Sequence, residues 1–249
     1  MMKKLMTVLV ALMLMVPSMG VLAEKLVVGT NAEFPPFEFF ADDGSIQGFD
    51  AELIGAILSL DGTEYEIISM EFDALPASLA ADQIDIAIAG MTISEEKGKS
   101  VLFTEPYFNA AQKLIVLADS PLQQEADLKP GMKVGVQLGT TGDIYVTDNL
   151  PDVSCERYNK ALDAVMDMKQ GRLDAVMVDS APSAYFAEAI EGLKVLPENL
   201  SDEQYGMAVK LGNAELAEKL NQGLKTIQEN GTFDAIYEKY FGKIETQTE

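Results

Sequence analysis

Residues 71–97 read EFDALPASLAADQIDIAIAGMTISEEK, and the fold turns on how they are read. Apolar residues recur at helical spacing from Asp73 to Ala81, then Ile84–Ala89 forms a short apolar run suited to a buried strand. Gly90 ends the run and Thr92 adds a hydroxyl. Ser94 offers an N-cap, with Glu95 and Glu96 placed where the positive end of a helix dipole favours acids. Lys97 runs against that dipole. The stretch therefore predicts helix, strand, polar loop and the start of a short helix, with one lysine that needs another reason to be there.

The same unit recurs on both sides. Lys25–Gly29, Glu64–Ser69, Lys133–Val136 and Asp174–Val178 read as further buried strands. Asp50–Leu60, Asn159–Gln170, Ser180–Ile190 and the long stretch Asn213–Tyr240 carry helical patterns. Strand–helix alternation implies the α/β class, with a mostly parallel sheet covered by helices. The alternation runs twice, from Lys25 to about Phe108 and from about Lys113 to Leu196. One more strand, Tyr205–Val209, precedes the C-terminal helices. Ligands in such folds sit at the carboxyl ends of strands, which points to Thr30–Phe37, Gly90–Thr92, Gln137–Gly142 and Asp179.

The N-terminus has the signature of an export signal. Lys3 and Lys4 precede an apolar run from Leu5 to Val16 and a small-residue exit at Val21–Ala23. The run falls short of the roughly 20 residues that span a bilayer, so cleavage after Ala23 and a periplasmic location are expected. Loss of both lysines shifts the formal charge from −22 to −24. So acidic a chain is a poor binder of nucleic acid. Cys155 is the sole cysteine and histidine is absent, so no intramolecular disulfide, metal site or cofactor is expected.

Catalytic signatures are missing, whereas the loops after strands suit a polar cleft. In GVQLGTTGDIY (135–145), Thr140 and Thr141 open a helix whose N–H groups suit an anion, although either threonine also serves as a simple cap. Asp179, ending a very apolar strand, suits an N-cap and a ligand contact about equally. NAEFPPFEFF (31–40) holds four aromatics; Phe37 and Phe39 are expected in the core, with Phe34 facing a ligand.

Taken together, GTNAEFPPFEF with GSIQGFDAELIGAI, the 71–97 stretch, VLFTEPYF, VGVQLGTTGDIY, QGRLDAVMVDS, QYGMAVK and NGTFDAIYEKYFG resemble the polar amino-acid binding proteins of ABC importers. The resemblance spans nearly the whole chain after residue 23. It implies a two-lobed, type II periplasmic-binding-protein fold with two hinge strands. Lobe 1 would comprise 24–110 plus 206–249 and lobe 2 residues 111–205. It further implies a monomer that delivers an amino acid to a membrane permease. Phe34 and Phe72 match the family's aromatic sandwich, and Asp179 the acid that holds the α-ammonium. Ala89, Gly90, Thr92, Thr140 and Thr141 match the backbone and hydroxyl contacts. A lysine, Lys97, stands where the family carries an arginine for the α-carboxylate.

Lysine neutralises a carboxylate but loses the flat two-point geometry of arginine. The alternative for Lys97 is a pairing with Glu95, Glu96 or another surface acid. Asn31 stands where several members carry aspartate, which lowers the case for a cationic cargo and favours a neutral polar amino acid such as glutamine. An exported dehydratase of cyclic carboxylic acids on the same scaffold is the alternative function.

Overall fold

A computed structural model describes residues 25–243; the expected signal at 1–23 lies outside them. The first half opens with β1 (Leu26–Thr30), β2 (Glu33–Phe34), β3 (Glu38–Phe40) and β4 (Ile46–Gln47). It continues through α1 (Phe49–Ser59), β5 (Tyr65–Ser69), α2 (Leu75–Ala80), β6 (Ile86–Ala87) and β7 (Val101–Phe103). After β8 (Phe108–Ala110) the chain enters β9 (Gln112–Leu117), β10 (Lys133–Gln137), α3 (Thr141–Asn149), β11 (Ser154–Tyr158) and α4 (Ala161–Lys169). Then come β12 (Ala175–Asp179), α5 (Ser180–Ala189), β13 (Leu193–Val195), β14 (Glu203–Tyr205), β15 (Ala208–Lys210), α6 (Ala214–Glu229) and α7 (Thr232–Phe241).

Two five-stranded sheets result, ordered β5-β1-β6-β15-β7 and β11-β10-β12-β9-β13. In each, four strands share one direction and a single strand opposes them, β15 in the first and β9 in the second. Both opposing strands follow directly from a linking strand. β8 feeds β9 and β14 feeds β15, and β8 and β14 pair antiparallel, Phe108 opposite Tyr205. The chain thus crosses between sheets on two adjacent strands, the arrangement that permits a hinge.

The C-terminal helices return to the first sheet. Ala217, Leu220, Gly223, Leu224 and Ile227 form the buried face of α6 at steps of three and four, packed with α7 against α1. Full burial of each large aliphatic here contributes about 1.5–3 kcal/mol. Asn213 caps the helix, its side chain accepting from the Leu216 N–H at 3.3 Å. Phe49 at the start of α1 lies within ring contact of Phe233, Tyr237, Tyr240 and Phe241, which ties α7 to the first half of the chain.

Three expectations change. The single strand at Tyr205–Val209 is two, β14 and β15, because the chain leaves the hinge at Gly206 before joining the sheet. The short helix after Ser94 is only a 3-10 turn, Lys97–Lys99, with Ser94 Oγ accepting from the Lys97 N–H at 3.2 Å. Three residues carry no appreciable macrodipole, so the electrostatic objection to Lys97 disappears. Phe39 is half-buried rather than core, while Phe37 is fully buried. The reason is strand alternation in the small β2-β3-β4 sheet: β3 turns Glu38 inward, and Phe39 falls on the opposite face.

Candidate functional site

The carboxyl ends of β1, β6, β10 and β12 converge on a small, tight cavity between the two sheets. Its lining contains Asn31, Phe34, Phe72, Ala89, Gly90, Thr92, Thr140, Thr141 and Asp179, all singled out from the sequence, together with Gln137, reached only as the first residue of the Gln137–Gly142 loop, and Glu38, which was not. Lys97 is absent from the lining.

The first-lobe wall is built around Gly90. Its φ of +55° and the approach of Phe34, whose Cε1 would lie 2.9 Å from an added Cβ, both require glycine. The Gly90 N–H donates to Asp50 Oδ2 at 2.9 Å, and the Tyr107 hydroxyl donates to the same oxygen at 2.8 Å. A buried carboxylate on α1 thus fixes the turn that follows β6. Thr92 donates its hydroxyl to Glu203 Oε2 at 2.6 Å. Its single proton is spent, so towards the cavity the oxygen acts as an acceptor and suits an ammonium better than a carboxylate.

The second-lobe wall is the start of α3. Thr140 Oγ1 donates to the Gln137 carbonyl at 2.8 Å and accepts from the Asp143 N–H at 3.3 Å. Thr140 is therefore the helix N-cap, the simpler of its two readings. Asp143 accepts from the Gly139 N–H at 3.1 Å and from Arg157 Nε at 2.9 Å, which stiffens the loop and commits that arginine away from the cavity. Thr141, the first residue of α3, presents its N–H at the positive end of the helix.

Direct bonds cross between the walls. Gln137 Nε2 donates to Asn31 Oδ1 at 3.0 Å, and Lys160 Nζ pairs with Glu33 Oε1 at 2.6 Å. Asn31 Nδ2 donates to the Met70 carbonyl at 2.8 Å. The lobes are closed on each other.

Two acids face this cavity in different surroundings. Asp179 precedes α5 but makes no side-chain cap bond, so its carboxylate is free to serve the cavity. Burial pushes its pKa up to about 7, the Glu203 charge adds to the rise, and contact with Tyr205 and Gln112 pulls it back. The Tyr205 hydroxyl and Gln112 amide touch it off normal hydrogen-bond geometry and have no other partner. Glu38 is 1% exposed and neither of its oxygens has a donor. Burial pushes its carboxyl well above the usual range, and the neighbouring Asp50 carboxyl pushes the same way.

Lys97 lies outside the lining, half-buried, with no carboxylate within ion-pair distance among the described residues. Burial lowers its pKa, while the charges of Glu96, Glu203, Asp179 and Asp143 raise it. Three of those four acids belong to the cavity, its second-lobe loop or the hinge, so the lysine stands beside the site rather than in its wall.

The two residues without an assigned role left different traces. Gln137 ends β10 as Asp179 ends β12, and the rule that chose one applied to the other. Glu38 was hidden among aromatics, yet the β2–β3 register sets it directly opposite Phe34, on the face already assigned to the ligand. A charged residue amid four aromatics was itself a signal, because such residues are seldom fully buried without a task.

Residues 26–243 match the model of the bacterial extracellular solute-binding proteins, family 3. The "ABC transporter arginine-binding protein 1" of Escherichia coli K12 is 36% identical over 224 residues, covering 88% of this chain and 91% of its own. An ancestral arginine-binding protein solved bound to arginine superposes with a TM-score of 0.83 at 42% identity, covering 88% of this chain and 98% of its own. An ancestral arginine-binding protein solved bound to glutamine gives 0.82 at 40% identity, with the same coverage.

Proposed function

Because the chain belongs to the family 3 bacterial extracellular solute-binding proteins, we propose that it captures arginine between its lobes and hands it to the permease of an ABC importer. The observation that carries this reading is the buried carboxylate of Glu38, without a donor, in a cavity that also receives Asp179. Two separate buried acids call for two cationic groups on the cargo. Arginine supplies an α-ammonium for Asp179 and a guanidinium whose fork of donors matches Glu38.

The α-carboxylate is received by the N–H groups at the start of α3, with the Lys97 charge beside them. Phe34 and Phe72 enclose the aliphatic stem and exclude water. Closure follows from contacts made to both lobes at once, assisted by the Asn31–Gln137 and Glu33–Lys160 links. The setting we infer is the periplasm, with the chain exported, cleaved after Ala23 and monomeric.

Glutamine, expected from Asn31, keeps one specific support. The amides of Asn31 and Gln137 lie at the cavity wall beside Glu38, and they match a neutral amide group without added charge. The dehydratase alternative would use Asp179 or Glu38 as a proton donor; turnover of prephenate or arogenate followed by absorbance tests it. Calorimetric titration of refolded, ligand-free protein against the twenty amino acids tests the main reading. Tightest binding by arginine supports it, and binding by none sinks it.

A further inference from the structure

Glu38 and Asp50 form a buried pair of acids with no cation to balance them. Glu38 is 1% and Asp50 0% exposed, the Asp50 N–H donates to the Phe37 carbonyl next to Glu38 at 2.9 Å, and the two carboxyls act on one another. Both Glu38 oxygens and Asp50 Oδ1 lack a donor, whereas Asp50 Oδ2 takes the Gly90 N–H and the Tyr107 hydroxyl. No ion pair among the described residues reaches either acid. Two adjacent carboxylates in so dry a place do not both stay ionised, because desolvation and mutual repulsion each favour the neutral form. One proton held between them relieves the repulsion and fills a vacant acceptor.

We propose that the ligand-free cavity holds one proton on the Glu38–Asp50 pair, which a cationic side chain displaces to solvent and a neutral side chain leaves in place. The inference rests on the reading of the cavity as an amino-acid site. The charge balances: one positive group enters next to Glu38, one proton leaves for water, and the net charge of that end of the cavity is unchanged. The same pocket then accepts either a guanidinium or an uncharged amide, with the proton serving as a removable counter-charge. Burial raises both carboxyls, consistent with a proton retained near neutral pH.

Other titrating groups nearby do not confuse the count. Tyr107 faces the pair from the segment before β8 and stays protonated, its pKa raised by burial. Asp179 and Tyr205 lie across the site, and Asp179 must ionise to hold the α-ammonium of any amino acid, whatever its side chain. Its proton cancels when two ligands are compared.

The test compares arginine with citrulline, its uncharged isostere, by calorimetry of the ligand-free protein in buffers of different ionisation enthalpy. Arginine is expected to release one proton more than citrulline, and its relative affinity to rise about tenfold per pH unit while the pair holds that proton. Glu38→Gln is expected to abolish the difference. Equal release by both ligands overturns the shared proton while leaving amino-acid binding intact, and failure of both to bind removes the functional reading instead. Infrared spectra of the ligand-free protein decide the matter in either event. A protonated-carboxyl band diminished by Glu38→Gln supports the pair, and no change on that substitution overturns it.

Discussion

The two ends of the cavity use the same chemical group under opposite conditions. Asp179 has a tyrosine and a glutamine beside it as well as the charge of Glu203, and it ends a strand whose direction aims it at the cleft. Glu38 sits on a short hairpin strand, against another acid, with no donor at all. On the proposed reading, the first end binds one group that every amino acid carries, and the second leaves its demand open for the cargo's side chain to meet. Recognition common to all amino acids and recognition of one among them would thus be divided between the lobes.

The sharpest way to break this division is Asp179→Ala. Truncating one partner of a buried, hydrogen-bonded charge pair costs about 2–5 kcal/mol, which corresponds to a loss of roughly 30-fold to several thousand-fold in affinity. The loss is expected for arginine, citrulline and glutamine alike by calorimetry; a loss confined to one of them would show that Asp179 reads the side chain. The same acid sets a pH dependence. Folded, it keeps its proton up to about pH 7, whereas unfolded it releases it near the ordinary aspartate value of about 3.9. Between those limits the folded state binds more protons, so ligand-free stability falls as pH rises, by at most about 1.4 kcal/mol per pH unit. An ammonium restores the ionised form. The rise in melting temperature on adding citrulline, which leaves the Glu38–Asp50 proton in place, should therefore grow across that window and level off above it.

Glu38→Gln is the converse change. Removing the charge from a charge-assisted hydrogen bond costs about 1.5–3 kcal/mol, so arginine affinity should fall roughly ten- to a hundred-fold while citrulline changes little. An equal effect on both would place Glu38 in packing rather than in selection. Gly90→Ala tests the frame that holds both ends together. A side chain at φ +55° costs about 1–2 kcal/mol, and the contact with Phe34 adds to it. Denaturant unfolding should show that loss, with weaker binding of every ligand as Phe34 shifts.

The same contrast explains how much could be read from the sequence. The α/β alternation and the residues at strand ends were legible, because a strand's direction fixes where its last residue points and apolar runs mark strands plainly; Phe72 came only with the family resemblance. Asp179, Gly90 and Thr141 came from that rule. Glu38 did not, because its position depends on the two-residue pairing of β2 with β3, and nothing in EFF states which face is inward. The Phe39 error is the same fact seen from the other side. The helix expected at Lys97 was misjudged for a different reason: Ser94 and two glutamates imitate a helix start, and only the structure shows that a single 3-10 turn follows.

Lys97→Arg probes the smallest effect. The lysine is not in the cavity lining, but the charges of Asp179, Glu203 and Asp143 all act on it, and no carboxylate pairs with it directly. A longer, forked guanidinium can reach the α-carboxylate and offer two parallel bonds in place of a single point charge. Affinity for arginine and citrulline should therefore be kept or tightened, by up to about tenfold for one added charge-assisted bond. Both ligands should gain equally, since they share the α-carboxylate, and measurement of both by calorimetry checks this. A gain for citrulline alone would mean that the new arginine repels a cationic side chain, putting Lys97 at the selective end of the cavity. Weaker binding of both would mean that Lys97 faces the surface acid Glu96 and leaves the carboxylate to the start of α3.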